Sequence, residues 1–192
     1  MIITTPDPEG AEGHVAAMYA GDLDADGFVY AHTRAMAVNP EAHAAFEALI
    51  RALVPSIGVR VYELATLAAA GAVGSPHCLL AHGRKALRAG VMDEEELIRL
   101  ARDPLDAGLS PADAAVVRYA VRLSTERGEM TDADSQELRE AGFTDRQIVD
   151  ITLAAAARNY FSRALLALSV DVDEVPGLTG RVTDALLSPL TR

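Results

Sequence analysis

The chain has 192 residues, half of them hydrophobic but only 5% aromatic, a formal net charge of -11 and a single cysteine. Such a length suits one domain with enough apolar surface for a core, and much alanine with few aromatics suits packed helices better than a β-sandwich. The acidic balance excludes a nucleic-acid backbone as partner, and one cysteine excludes a disulfide framework or a Cys-rich metal site. No apolar run is long enough to span a bilayer, so no membrane partner is expected. The first residues, M-I-I-T-T-P-D-P-E, lack the basic start and apolar centre of a secretory signal, which gives a cytoplasmic setting as the expectation.

Residues 1–10 hold two prolines and read as an extended arm. Glu12–Ala20 reads as a short helix closed by Gly21 and the acidic turn D-L-D-A-D-G, and Phe28–Val38 as another, ending before Asn39-Pro40. Pro40 suits the first position of a helix to Val54, with Ala45, Phe46, Leu49, Ile50 and Leu53 on one face, and Pro55 stops it. Val59–Val73 is a mostly apolar helix that carries Glu63, and after the bend Gly74-Ser75-Pro76 a second runs from Pro76 to about Arg88, ending at Gly90. Asp93 opens an acidic helix through Leu100, Ser110 starts one to Thr125, and Asp132–Ala141 forms another closed by Gly142. Thr144, with Gln147 at the reciprocal position, caps a long helix to Leu168. Beyond Val170 only Thr183–Leu187 suggests helix. No segment alternates as a strand does, so the expected fold class is all-α. The expected organisation is a single domain over 1–192: an N-terminal arm and short helices (1–39), a helical core (40–170) and a C-terminal tail (171–192).

The chemistry gathers around the bend. Ser75 reads as an N-cap and Pro76 as the first helical residue, which puts Cys78 at the third position. A helix N-terminus favours an anion, so a thiolate there is stabilised. His82 lies four residues on, on the same face. Glu63, inside an apolar run, needs a partner or a raised pKa, and the bend can fold it back toward Cys78 and His82 as an acid–base and nucleophile cluster.

Each residue also has a plainer reading. Cys78 could be a small buried hydrophobe, His82 a core histidine, His77 a surface or subunit contact, and Ser75 only a cap. Cys78, His77 and His82 are a poor metal set, because H-C-x3-H on one short helix does not supply the geometry of zinc; no metal and no cofactor are expected. L-R-E-A-G-F-T-D-R-Q-I-V has the rhythm of a DNA-binding helix-turn-helix, but its acidic residues would repel phosphates, and it reads as a helical corner. Asn159 and Arg163 form a polar stripe on the last long helix.

The order E-x11-S-x-H-C-x3-H, at Glu63, Ser75, His77, Cys78 and His82, resembles the signature of the alkylhydroperoxidase D family within the carboxymuconolactone decarboxylase superfamily. That signature typically reads E-x11-C-x-x-C-x3-H, so Ser75 stands where the family has its first cysteine. G-F-T-D-R-Q-I-V-D-I-T-L with N-Y-F-S-R resembles the family's last long helix, and P-E-A-H-A-A-F is similar to its longer, peroxidase-related branch. The resemblance implies an alkylhydroperoxidase D-like helical bundle built around the signature helix pair. It also implies reduction of a hydroperoxide by Cys78, with Glu63 and His82 as proton relay and Ser75 and His77 in support. With no second cysteine, the reductant would be an external thiol or a redox protein. The family pattern further implies a homo-oligomer, trimeric or hexameric. Two alternatives remain: lactone decarboxylation with Glu63 and His82 as acid and base and Cys78 incidental, or a non-catalytic helical assembly protein with a degenerate site.

Overall fold

The computed structural model describes residues 1–125 and 130–191, and among these every regular element is helical. The helices are α1 (Gly13–Asp26), α2 (Ala31–Met36), α3 (Pro40–Val73), α4 (Pro76–Arg88), α5 (Glu94–Arg102), α6 (Pro111–Thr125), α7 (Asp132–Glu140), α8 (Asp145–Ala167) and α9 (Gly180–Leu187), with a 3-10 turn over Ser188–Thr191. The all-α expectation holds.

α3 is the central element and packs against α8, α6 and α4. Its second half explains why: Leu64, Ala65, Leu67, Ala68, Ala69 and Ala70 are all buried, so it is apolar on every side and must be surrounded. Small alanines let the neighbouring helices approach closely. The other helices show one apolar face each; α5, for example, buries Leu97, Ile98 and Leu100. Each such fully buried large side chain contributes about 1.5–3 kcal/mol.

Several boundaries differ from expectation. α1 does not close at Gly21 but runs to Asp26, with the αL residue Gly27 as its end. The acidic run is helical because its carboxylates have internal work: Asp22 accepts from the Tyr30 backbone N–H at 3.0 Å, and Asp26 pairs with Arg84 of α4. α2 is shorter than Phe28–Val38. The break in α3 lies at Gly58, not Pro55: the helix passes Pro55 and reaches Ile57, and then Gly58 adopts φ 77, ψ 161, a conformation essentially restricted to glycine. Ser56 next to the break offers its carbonyl to Gln147 Nε2 of α8 at 3.2 Å.

The tail is more ordered than its sequence suggests. Thr179 Oγ1 caps α9, and Val182, Ala185 and Leu186 are buried as α9 packs on α5 and α4. A Cβ on Gly83 of α4 would come within 2.8 Å of Leu186, so glycine there permits the close approach. No described helix is long and apolar enough to cross a membrane.

Candidate active site

α3 ends at Gly74, whose φ of 78 lets the chain reverse while the Gly74 and Ser75 amides both return to the Ala70 carbonyl. Pro76 then begins α4, so Cys78 occupies the third helical position, buried among core residues. The bend folds α4 back along α3 and brings His82 to Glu63: His82 Nδ1 and Glu63 Oε2 are 2.7 Å apart, both buried. Nineteen positions apart in sequence, these two are a pair because of that hairpin.

Burial disfavours charge on both partners. It raises the Glu63 carboxyl from 4.5 to about 7, with Lys85 and Arg158 acting in the opposite direction. It also lowers His82 well below its ordinary value, an effect reinforced by Arg158 and Lys85. A neutral imidazole beside a carboxyl that titrates near 7 can carry its shared proton on either side: on Nδ1 facing a carboxylate, or on Oε2 facing a bare Nδ1. The pair is therefore a proton-handling unit in the neutral range.

Cys78 has different partners. Its sulfur accepts from Ser162 Oγ at 3.2 Å and from Arg158 Nη1 at 3.4 Å, both on α8. Arg158 also donates to the Tyr62 hydroxyl at 3.4 Å, and its guanidinium lies 5.5 Å from the Phe161 ring centroid. Burial works against the Arg158 charge, but Cys78 and Tyr62 more than offset it, so the guanidinium stays above the ordinary arginine range. Among the described residues no carboxylate makes an ion pair with it. His82 makes no hydrogen bond to the sulfur, so the expected Glu–Cys–His cluster divides into a Glu63–His82 pair and a Cys78–Arg158–Ser162 group.

α8 thus enters the site through Arg158 and Ser162, not through the Asn159/Arg163 stripe. One residue along a helix is a rotation of about 100°, and that rotation leaves Arg163 exposed and Asn159 half-buried with Oδ1 unpartnered. Ser75 stands at the N-cap position with extended backbone, but its hydroxyl caps nothing: Oγ is buried without a partner. His77 Nε2 lies 3.0 Å from the Asp171 carbonyl, so it carries the proton, and Nδ1 is left unpartnered.

Cys78, His77, His82, Tyr62 and Arg158 line a cavity of about 430 Å³, together with Phe46, Phe161, Lys85 and His32. Glu63 does not line it and stands behind His82, which does. The arrangement offers a sulfur nucleophile opposite a fixed cation, a proton-handling pair, and a small cavity of mixed polar and apolar lining.

Residues 40–122, from the start of α3 into the last turn of α6, match the carboxymuconolactone decarboxylase family. No curated protein matches the chain. Solved structures match it over nearly its whole length. An uncharacterized peroxidase-related protein from Ralstonia eutropha JMP134, with an alkylhydroperoxidase AhpD core, has a TM-score of 0.72 at 22% identity, covering 98% of this chain and 95% of its own. A peroxidase-related protein from Silicibacter sp. TM1040 has a TM-score of 0.68 at 22% identity, covering 90% and 91%. The debrominase Bmp8, as a cysteine-to-alanine variant in complex with 2,3,4-tribromopyrrole, has a TM-score of 0.75 at 16% identity, covering 98% and 97%. At these identities the likeness is one of fold, and it joins the match over α3–α6 and the signature helix pair. The chain thus has an alkylhydroperoxidase D-like helical fold, within which residues 40–122 match the carboxymuconolactone decarboxylase family.

Proposed function

We propose that this protein is an enzyme that reduces organic hydroperoxides through Cys78. The observation that carries the reading is the buried Arg158 guanidinium, which donates to the Cys78 sulfur at 3.4 Å and makes no ion pair with a carboxylate among the described residues. A buried charge without a counter-charge is strongly unfavourable, and a Cys78 thiolate, with the Ser162 hydroxyl donating to it, is the anion that compensates.

The thiolate attacks the distal oxygen of the hydroperoxide and the O–O bond breaks. Sulfur loses two electrons and becomes a sulfenic acid, while the other oxygen leaves as an alkoxide. His82 passes a proton to that oxygen and takes one from Glu63, so an alcohol departs. The protein has no second cysteine and Ser75 cannot form a disulfide. An external thiol, or a redox protein presenting one, therefore attacks the sulfenic sulfur, water leaves, and a second thiol frees Cys78. Phe46, Ile50 and Phe161 in the cavity wall favour an alkyl or aryl hydroperoxide.

Steady-state consumption of cumene hydroperoxide with a panel of monothiol and dithiol reductants tests this. Cys78→Ser is expected to abolish turnover, and Glu63→Gln to slow it by about 10²–10⁴-fold, the usual range for a lost general acid. Undiminished consumption by Cys78→Ser overturns the reading. The acid–base alternative draws on one observation, the Glu63 carboxyl poised near neutrality beside a neutral imidazole. In that case Cys78→Ser would retain turnover of a lactone acid while Glu63→Gln lost it.

A further inference from the structure

A second cluster lies at the rim of the same cavity and plays no part in the thiol chemistry. His43 and Glu47, one turn apart on α3, present Nδ1 and Oε2 on one face, and His14 of α1 brings Nε2 against them. The separations are 3.3 Å from His14 Nε2 to His43 Nδ1, 3.8 Å from His14 Nε2 to Glu47 Oε2, and 3.9 Å from His43 Nδ1 to Glu47 Oε2. Among the described residues this is the group of histidine, cysteine and acidic side chains whose ligand atoms converge within 4.8 Å. The signature residues do not form such a group, since His82 is held by Glu63 and His77 by a backbone carbonyl.

We propose that His14, His43 and Glu47 form a binding site for a divalent transition-metal ion of the zinc class. A point in the plane of their three ligand atoms lies about 2.1 Å from each, inside the range of about 2.0–2.2 Å for Zn–N and Zn–O bonds. Two imidazoles and one carboxylate form a known set for zinc with an open fourth position, and imidazole also suits copper and nickel. The side chains are placed for exchange with solvent: their exposures are 35% for His14, 16% for His43 and 41% for Glu47. The interactions an ion would replace are the hydrogen bond between His14 Nε2 and His43 Nδ1 and the exposed Arg51 Nη1, 3.7 Å from Glu47 Oε2.

The position gives the ion two consequences. α1 contributes its buried Met18 and Tyr19 to a small cluster of their own with Val29 and Ala37, apart from the main core. A metal held by His14 on one side and by His43 and Glu47 on the other fastens α1 to α3. His43 and Glu47 also line the cavity that reaches Cys78, so an open coordination position at the rim lies beside the path of anything that enters. This inference does not depend on the thiol mechanism.

The test is calorimetric titration of zinc chloride into the full chain, free of any histidine tag and cleared of metal with a chelator, in a non-coordinating buffer. The expected result is saturable binding of one ion per chain. Affinity should fall in His14→Ala, His43→Ala and Glu47→Gln by at least the roughly 10–100-fold that loss of an outer-shell partner costs, and remain unchanged in Cys78→Ser. Zinc should raise the Tm of the wild type but not of His14→Ala. No saturable heat, wild-type affinity in the two histidine variants, or loss of binding in Cys78→Ser would each overturn the proposal.

Discussion

Glu63 shows how far one buried carboxyl can set the behaviour of a site. Free in an unfolded chain it loses its proton near 4.5, whereas in the fold burial holds the proton to about 7. The stability linked to this group is fully present below about 4.5 and is lost as pH rises through about 7. In the proposed mechanism the protonated carboxyl is the donor behind His82, so the catalytic consequence has the same sign. Turnover of cumene hydroperoxide should decline as pH passes upward through about 7, and Glu63→Gln should lack that limb; a pH profile of kcat/KM for both proteins checks it. A limb that persists unchanged in Glu63→Gln would assign it to another group. Glu63, Cys78 and His82 were legible in the sequence because they sit in one helical hairpin, where spacing fixes geometry. Arg158 and Ser162 were not. They lie 80 and 84 positions from Cys78, in a run of alanines whose apolar residues spread round the helix. Such a run does not fix which of two adjacent polar stripes, 158/162 or 159/163, faces inward.

At the scale of elements, α3 must be both a long support and a bent one. Its first half walls the cavity with Phe46 and Ile50, and its second half carries Tyr62 and Glu63 into the core. Gly58 supplies the change of direction with φ 77, ψ 161, and nothing within 4 Å would obstruct a Cβ there. The penalty for a side chain at this position is therefore backbone strain alone. Gly58→Ala should destabilise the protein by about 1–3 kcal/mol, several degrees of Tm for a chain of this size, as thermal unfolding by circular dichroism would report. An unchanged Tm would mean that the two halves of α3 can meet without the glycine conformation. The sequence directed attention to Pro55, the stronger local signal, but a proline that lacks only one backbone donor can be passed by one more partial turn. What ends the regular geometry is the next residue able to take a positive φ, and Gln147 from a distant helix satisfies the nearby Ser56 carbonyl. That long-range partner has no local trace in sequence, and neither does the docking of α9 on Gly83.

For the molecule as a whole, the outer face of α8 is an exposed apolar surface. Val149, Leu153 and Tyr160 are 53%, 39% and 58% exposed along it, and Phe46 of α3 stacks against Tyr160 with centroids 6.0 Å apart. Leu49 and Val59 of α3 are exposed as well. A stripe of this kind on a helix whose opposite face holds Arg158 and Ser162 is suited to a subunit contact behind the site. We expect a homo-oligomer, and Leu153→Asp should dissociate it while leaving the helical content intact. Sedimentation equilibrium at micromolar concentration decides: a stable wild-type monomer contradicts the expectation. An oligomer is expected from the family pattern; which residues of α8 remain outside follows only from the packing of α3 and α6 on its other faces.

In the proposed mechanism Arg158 holds the Cys78 sulfur ready to react with a hydroperoxide. The most direct measurement of this is a single turnover: the reduced protein mixed with one equivalent of cumene hydroperoxide, trapped with dimedone, and weighed intact and as peptides by mass spectrometry. The account predicts one adduct per chain, on Cys78, formed much more slowly in Arg158→Met. A Cys78 recovered as the free thiol after the peroxide has been offered in excess, or an adduct formed equally fast without Arg158, would contradict it.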